Sequence, residues 1–293
     1  MVVKPPAVKG WFIPRSGKVP MCLLLFAYQC HPNYPLLLIA NRDEFYQRPT
    51  AAAARWPGTE LIAGKDLEAL GTWAGISPGR IAAVTNIREP GKPEPEEALS
   101  RGEIPQKFLC GQDSPEEFNQ SLQLQRYRGF NALLFDIQNK NDLLCAGNRH
   151  KPFIFRRGIH GISNGAPDEP WPKVERGKAG LAGIVPGAKQ LVTFENFVEP
   201  ALEMLKDRTP APDQQLPHTG LPLEIERALS PVFIQIDADS SAAAPMLRNG
   251  GYGTRASTVI TIDERGASQL WEQSFINGNP TGPLRHFTTP PLI

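Results

Sequence analysis

Two short apolar runs near the start of the chain, CLLLFAY at residues 22–28 and LLLIA at residues 36–40, determine the predicted fold. Both have the composition of β-strands, and the segment between them contains two prolines and an asparagine, so the pair is predicted to form a β-hairpin. Cys22 then opens the first strand, and the polar segment NRDE at residues 41–44 follows the second. Because a hairpin brings these two ends together, we expect the thiol to lie beside a guanidinium and two carboxylates.

Cys22 gains a second reactive group if it is the first residue of the mature chain. If translation begins at Met21, or if residues 1–21 are removed, a free α-amine accompanies the thiol, and the two form a nucleophile and a base. Reference pKa values of about 8.5 for the thiol and about 8 for the amine imply that moving a proton between them costs about 1 kcal/mol. A nearby arginine is expected to lower the thiol pKa, and a carboxylate could hold the amine. With Met1 as the N-terminus, the amine is part of a peptide bond and the base is lost.

The composition argues against several classes of function. The 293 residues include 31 basic and 30 acidic side chains, with a formal net charge of +1 and no long run of one sign. This pattern is not typical of a nucleic-acid groove or of a protein that binds anionic membranes. No apolar run approaches the roughly 18 residues that cross a bilayer. The four cysteines and five histidines lack the spacing of a disulfide scaffold or a metal site. We therefore expect a soluble, cytoplasmic protein with no integral membrane segment, no nucleic-acid partner and no metal.

The remaining pattern predicts strands at both ends of the chain with helices grouped between them, which is typical of an α+β fold. Residues 71–77 and 80–86 form a second predicted hairpin, and residues 258–262 and 268–276 form the last strand pair. Four strand-like runs between them are predicted to form an antiparallel meander, at residues 130–138, 143–147, 153–156 and 159–163. Helices are predicted over residues 115–126 behind the N-cap Ser114, over residues 173–184, and over residues 194–206 behind the cap Thr193.

The two ends of the chain are predicted to lie outside the folded domain. Residues 1–21 are basic and rich in proline, which indicates a disordered extension that is either a misassigned start or a removed segment. Residues 278–293 are rich in proline and glycine, so they are predicted to be an irregular tail. A single domain over residues 22–277 remains.

Three further residues are candidates for chemistry because of where they lie. Asn86 ends the second hairpin, and Asn164 follows the predicted meander. A neutral amide at a strand end can donate to a developing oxyanion, which is typically worth about 100- to 1000-fold in rate, but turn-forming asparagines have the same pattern. The glycine-rich segment at residues 250–254 lacks the lysine and spacing of a phosphate-binding loop, and is interpreted as a turn that delivers Arg255.

Several separated motifs, in order, resemble the NRDE-motif family, also called the transport and Golgi organisation 2 family. The resemblance extends from about Met21 to about Phe275. The motifs that carry it are Met21-Cys22, Asn41-Arg42-Asp43-Glu44, Leu70-Gly71-Thr72-Trp73, Thr85-Asn86-Ile87-Arg88, Gly129-Phe130-Asn131, Ser163-Asn164-Gly165 with Pro170-Trp171-Pro172-Lys173-Val174, and Tyr252-Gly253-Thr254-Arg255.

The resemblance implies a fold and a set of site residues. The family is thought to share the N-terminal-nucleophile hydrolase fold, a four-layer αββα sandwich of two antiparallel sheets flanked by helices, and is distantly similar to bile salt hydrolases and penicillin V acylases. By that similarity Cys22 matches the nucleophile and Arg42 the early arginine, and either Asp43 or Glu44 matches the carboxylate. The same similarity implies that Asn86 and Asn164 are the amides around the oxyanion and the amine, and that Arg255 is the late arginine.

The resemblance implies two classes of function. In the first, the Cys22 sulfur attacks an amide or acyl carbon of a small molecule, its own α-amine moves the proton, and water releases the product without a cofactor. In the second, the fold is kept without turnover and the protein binds or carries a hydrophobic ligand such as haem, since eukaryotic relatives are linked to Golgi organisation and haem handling. Cys30 and His31 are candidates for a haem ligand only by their position.

Overall fold

The structure of the protein is a computed structural model that describes residues 21–93, 95–139, 142–237 and 250–292. Residues 1–20, which carry nearly all of the predicted disordered extension, lie outside the described residues. Met21, the last residue of that predicted segment, is the first residue of a strand. In the described residues the chain is α+β, with two antiparallel seven-stranded sheets, as the sequence predicted at this level.

The first sheet, sheet A, contains both chain ends of the described fold. Its strand order is β10-β1-β2-β12-β13-β14, and β11 pairs with β12. The strands are β1 (Met21–Tyr28), β2 (Leu36–Phe45), β10 (Gly158–Ile162), β11 (Gln235–Ile236), β12 (Tyr252–Ile262), β13 (Ser268–Ile276) and β14 (Asn279–Thr288).

The second sheet, sheet B, is an uninterrupted meander in which each strand pairs with the next along the chain. Its strands are β3 (Thr50–Arg55), β4 (Ile62–Asp66), β5 (Ala74–Ser77), β6 (Arg80–Asn86), β7 (Phe130–Asp136), β8 (Leu143–Gly147) and β9 (Phe153–Ile154).

The helices are short and fall into two groups along the chain, one between β6 and β7 and the other between β10 and β11. They are α1 (Glu103–Cys110), α2 (Pro115–Ser121), α3 (Pro172–Ile184), α4 (Glu199–Met204) and α5 (Leu223–Ala228). Single turns of 3-10 or π helix occur at Leu124–Arg126, Val185–Ala188, Phe194–Val198 and Asp213–Gln215.

Apolar cores fill the spaces between these elements. One core joins the two sheets and includes Leu24 of β1 and Leu133 of β7. A second lies between sheet A and the pair α3 and α4, where Leu25 and Leu181 are both fully buried. A third, around Phe108 of α1, lies against sheet B. The centre of sheet A is therefore buried on both faces, which explains why β1 and the first half of β2, residues 36–40, are apolar at every position instead of alternating.

The predicted hairpin is confirmed, and its register places Cys22 directly opposite Arg42. The second strand is longer than predicted, because β2 continues through the polar segment at residues 41–44 to Phe45. This extension is possible because β2 is a central strand that also pairs with β12. Side chains alternate between the faces of a strand, so Arg42 and Glu44 lie on one face of β2 and Asp43 lies on the other.

The predictions for the fourth strand of the meander and for the first helix are wrong. The fourth strand of the predicted meander, β10, leaves sheet B and pairs with β1 in sheet A. It does so after β9, which has only two residues, and Gly161 in β10 lets α3 pack closely, since a Cβ there would lie 2.7 Å from Val174. The helix predicted over residues 115–126 ends at Ser121, because both Leu122 and Leu124 pack on the core. Residues two apart point about 200° away from each other on a helix, so both can face the sheet only if the helix stops.

The C-terminal residues do not form the irregular tail predicted for residues 278–293. They form β14, a ten-residue edge strand on β13. An edge strand tolerates proline, because the backbone N–H on its open side has no ladder partner to lose. The register shifts between Glu272 and Ser274, which pushes Gly282 out in the left-handed conformation with φ of 67°. The same residue types that argue against a strand are therefore accommodated at an edge and a bulge.

One buried carboxylate connects the sheets. Glu272 of β13 accepts a hydrogen bond from the backbone N–H of Ala53 in β3 (2.6 Å), and Thr258 donates to its other oxygen (3.4 Å). Burial raises the pKa of Glu272 to about 7, against the opposing effects of these hydrogen bonds and of Arg42. The carboxyl group therefore takes up its proton well above the usual pH for a glutamate.

Glu272 is predicted to make stability fall as pH rises from about 4.5 to about 7. Over that range the folded state holds a proton that the unfolded state has released, so the free energy of unfolding decreases, by about 3 kcal/mol if this group acts alone. Urea unfolding at pH 4.5, 6 and 7.5 would measure this, with Glu272→Gln as the comparison. The variant keeps an acceptor for Ala53 and should lose this part of the pH dependence. Parallel pH profiles for both proteins would contradict the assignment.

Candidate functional site

The candidate site is a cavity of about 270 Å³ at the end of β1 where Cys22 lies. Both sheets and the loop before α1 form its wall. Its polar and charged lining comprises Cys22, Arg42, Asp43, Glu44, Arg48, Asp66, Thr72, Asn86, Ser100, Arg101 and Arg128, with Trp73 among the apolar residues. The hairpin thus brings Cys22 together with the polar segment of β2, as the sequence predicted.

Arg42 is held in a fixed position beside the thiol. Its guanidinium donates to the carboxylate of Asp66 (2.9 Å) and to the hydroxyl of Thr50 (3.1 Å). One face of the guanidinium also lies over the ring of Trp73, 4.6 Å from its centroid. These contacts come from β3, from β4 and from the residue that precedes β5, so sheet B positions an arginine of sheet A. A buried guanidinium with this many partners presents a stationary positive charge to the cavity.

The second arginine of the cavity is neutralised by the carboxylates around it. Arg48 donates to Asp66 (2.7 Å) and lies 3.5 Å from Glu44 and 2.9 Å from Glu68. Glu44 in turn accepts from the backbone N–H of Phe45 (2.9 Å). Glu44 is therefore part of the ion network on the cavity face of β2.

Asp43 borders the cavity as well, but the alternation along β2 directs its side chain to the opposite face of the strand, and one of its oxygens has no partner. Its Oδ1 accepts from the hydroxyl of Thr254 (2.7 Å), whereas the buried Oδ2 has no hydrogen bond. Burial raises the pKa of Asp43 to about 6, and the positive charge of Lys173 is the largest effect in the other direction. The two carboxylates that the sequence left open are thus physically different: Glu44 is paired with arginines, and Asp43 is only half satisfied.

Asn86 and Asn164 both lie near Cys22, but they are connected differently. Asn86 lines the cavity. The side-chain amide of Asn164 donates to the backbone carbonyl of Asn86 (2.9 Å), and the backbone carbonyl of Asn164 accepts from the N–H of Arg88 (2.7 Å). The neighbouring Ser163 donates its hydroxyl to the carbonyl of Cys22 (3.1 Å). The end of β10 thereby fastens β1 to the end of β6.

Arg255 is close to the site but faces the backbone. It is the bulged residue between Thr254 and Ala256, where the pairing of β12 with β2 shifts register. Its guanidinium donates to the carbonyls of Phe45 (3.0 Å), Tyr46 (2.9 Å) and Arg48 (3.1 Å). Burial lowers its pKa, and so does the positive charge of Arg42, so the two guanidinium groups lie near enough to repel each other. In this structure Arg255 orders the chain that follows β2.

The thiol is not activated while residue 21 remains attached. Only 7% of Cys22 is exposed, and burial, followed by the charge of Asp43, raises its thiol pKa to about 12. Arg42 lowers the pKa as expected, but its effect is smaller than that of burial. The sequence-based expectation of a lowered thiol pKa is therefore wrong for the intact chain. At neutral pH Cys22 is a thiol and a weak nucleophile.

Cys30 and His31 lie away from this cavity. They follow the far end of β1, eight residues of extended chain from Cys22, and line a second cavity of about 450 Å³. The Nδ1 of His31 accepts from the N–H of Asn33 (3.1 Å), and its buried Nε2 has no hydrogen bond. The structure therefore places these two candidates for a haem ligand away from the cavity that contains Cys22. Among the described residues, no cluster of three or more His, Cys, Asp or Glu side chains could hold a metal ion.

Several residues of the site escaped sequence reasoning. Asp66 ends β4, a strand that the sequence did not predict, so nothing marked it. Lys173 belongs to the motif at residues 170–174, for which the resemblance implies no role. Its side chain is nevertheless only 2% exposed, and its Nζ has no hydrogen bond. The sequence does contain a signal for Lys173. This lysine lies in the first turn of the predicted helix, where the helix dipole disfavours a positive charge. A cation at such a position indicates a role other than helix stabilisation.

The chain belongs to the Transport and Golgi organisation 2 family, because the model of this family matches residues 21–277. The match covers most of the chain and begins at the residue before Cys22. It confirms the family that the motifs indicated. In the described residues, no helix is both long enough and apolar enough to cross a membrane.

Curated relatives resemble the chain over most of their length. A Transport and Golgi organization protein 2 homolog of Bos taurus is 32% identical over 276 residues, covering 89% of this chain and 95% of the relative. The Mus musculus homolog is 31% identical over 272 residues, with 88% and 94% covered. The Drosophila melanogaster Transport and Golgi organization protein 2 is 26% identical over 288 residues, with 89% and 95% covered.

The buried state of Cys22 predicts slow alkylation of the full chain. At pH 8 a thiol with a pKa near 12 is ionised about a thousandfold less than one with a pKa near 9. Cys110 is the reference because it is exposed, although burial raises its pKa as well. We expect iodoacetamide to modify Cys22 at least about 100-fold more slowly than Cys110. Mass spectrometry of the digested protein would give both rates in one sample. Equal rates at the two residues would contradict the raised pKa.

Proposed function

We propose that the protein is a cysteine hydrolase of the N-terminal-nucleophile type that cleaves an amide or related acyl bond in a small molecule. The observation that carries the proposal is the unpartnered Oδ2 of Asp43, since β2 pairs Asp43 with residue 21, the residue whose removal frees the Cys22 amine. In a chain that begins at Cys22, the α-amine supplies the missing hydrogen-bond donor. A buried acceptor without a donor is costly, so this donor is expected to stabilise the processed form.

The fold supports the proposal. Two antiparallel sheets enclose one core, and helices pack on the outer face of each sheet, as expected for a four-layer αββα sandwich. The proposed nucleophile opens a central strand, as it would in an N-terminal-nucleophile enzyme. The family match also begins at Met21, which is consistent with Cys22 as the first residue of the active chain.

The proposed reaction has two steps. In the first, the Cys22 thiol gives its proton to its own α-amine and the sulfur attacks the carbonyl carbon, forming a C–S bond while the carbonyl oxygen becomes an oxyanion. The C–N bond then breaks, the leaving amine takes the proton back from the α-ammonium, and a thioester remains. In the second step, water activated by the α-amine attacks the thioester, and the acid and the thiol are released. No oxidant, reductant or cofactor is consumed.

Each neighbouring residue has a proposed role in this scheme. Arg42 is a fixed positive charge that favours the developing thiolate, and Asp43 accepts from the α-amine. Asn86 lines the cavity and donates to the oxyanion, while Asn164 holds the backbone of Asn86. Arg255 orders the chain beyond β2. A cavity of about 270 Å³ suits a small substrate or the acyl end of a larger one.

The test is acylation of a chain that begins at Cys22. Incubation with p-nitrophenyl acetate and p-nitrophenyl octanoate, followed by intact-mass measurement, should add one acyl group to this form. The full chain and the Cys22→Ala variant should remain unmodified, and Cys110→Ala, the matched cysteine control, should react normally. Acylation that is the same in full and processed chains, or that persists in Cys22→Ala, would refute the proposal. Binding of haem with no acyl adduct under any condition would instead favour the ligand-carrying role.

Asn86 and Asn164 are predicted to affect this reaction in different ways. Asn86→Ala should slow acylation by about 100- to 1000-fold, because an oxyanion donor acts in the transition state. Asn164→Ala removes a donor to the Asn86 carbonyl and should also lower the melting temperature. Single-turnover rates and thermal melts of both variants would distinguish them. Acylation of Asn86→Ala at the normal rate would remove it from the proposed oxyanion site.

A further inference from the structure

Lys173 is the least satisfied charge in the described part of the chain. It lies in the first turn of α3, against the helix-facing side of sheet A, and its Nζ is buried without a hydrogen bond. Burial lowers its pKa to about 8, and the repulsion of Arg88 acts in the same direction. A buried ammonium without a hydrogen-bond partner destabilises the folded state, so packing alone does not explain a lysine at this position.

Two carboxylates act on Lys173, those of Asp43 and Glu226, and only Asp43 has an oxygen free to pair with it. Glu226 also faces Lys173, but its carboxylate already forms a buried ion pair with Arg88 and accepts two hydrogen bonds from Thr219. Asp43, in contrast, has one unpartnered oxygen and is the strongest opposite charge that Lys173 experiences. The reverse also holds, since Lys173 is the strongest positive charge acting on Asp43.

The charges around Cys22 explain why such a pair is useful. A carboxylate alone beside an α-amine would favour the ammonium form, because opposite charges attract, and an ammonium cannot act as a base. A second positive charge beside the same carboxylate offsets the effect of the carboxylate on the amine pKa. The amine can then stay neutral while the carboxylate still accepts its N–H. Arg42 and Glu44 from β2 face the other side of the strand and are paired with Asp66 and Arg48.

We propose that Lys173 is a positioning residue that supplies the positive charge for Asp43, so that the α-amine of an N-terminal Cys22 remains unprotonated and can act as a base. The inference rests on the proposed function, in which the amine is the base of the reaction. The protonation of the amine can be measured without catalysis. Lys173 does not touch the reacting atoms. It acts through the carboxylate that holds the amine.

The test measures the titration of the α-amine itself. A chain that begins at residue 22 and carries Cys22→Ser keeps the amine and removes the thiol. Its reaction with acetic anhydride between pH 5.5 and 9.5, compared with an internal reference amine and followed by mass spectrometry, gives the apparent pKa of the amine. The same measurement is made with Lys173→Met, Lys173→Gln and Lys173→Arg added. Lys178→Met is the control, because this lysine is on the same helix but is paired with Glu175 and Asp168.

The expected result is a higher amine pKa when the charge at residue 173 is lost. Lys173→Met and Lys173→Gln should raise it enough to change the ratio of amine to ammonium at least about tenfold, whereas Lys173→Arg and Lys178→Met should leave it near the parent value. Thermal melts confirm that each variant is folded, and either neutral variant alone suffices. An unchanged amine pKa in a folded neutral variant would overturn the inference. This outcome is distinct from failure of the proposed function, which is the absence of an acyl adduct on Cys22.

Discussion

The register between β1 and β2 is the constraint on which the rest of the site depends. Cys22 and Arg42 are opposite each other only because every pair from Tyr28 and Leu36 onward is aligned. Side chains alternate with a period of two, so a slip by one residue would move Arg42 to the helix side and bring a neighbour to the cavity. The register is secured on both faces, because β2 is buried along its whole length between two cores. The apolar runs thus determine which polar residues face the cavity.

The charged groups around Cys22 are divided by the sheet into two sets. On the cavity side, Arg42 and Arg48 are bound to carboxylates from both sheets, so these two guanidinium groups are held in place and neutralised. On the helix side, Asp43 and Lys173 are each other's strongest charge partner but have no direct hydrogen bond. Rigid, satisfied groups suit positioning, whereas unsatisfied buried groups change their protonation easily. The thiol lies at the boundary between the two.

Sequence reasoning found the features that depend on local pattern. The hairpins, the N-cap Ser114 and the helix over residues 173–184 follow from periodicity and turn chemistry and are confirmed. The same reasoning missed features decided by distant contacts. β10 gives no local sign that it pairs with β1, and β14 is a strand because β13 offers an edge. The structure places Cys22, Arg42 and Asn86, three residues from separate motifs of the resemblance, around one cavity. The resemblance implied no role for Asp66 or Lys173, because the surroundings of these two side chains are decided only by folding.

The central position of β1 also sets an order of events during synthesis. The strand on one side of it, β10, lies some 135 residues further along the chain, and β12, which completes the sheet beside β2, begins at Tyr252. Until those strands leave the ribosome, the peptide bond between residues 21 and 22 has no lasting cover. Once they pair, Cys22 is buried and Met21 is aligned with Asp43. Cys22 therefore stays accessible in the nascent chain until most of the chain has been synthesised, and it is buried only when the sheet is complete.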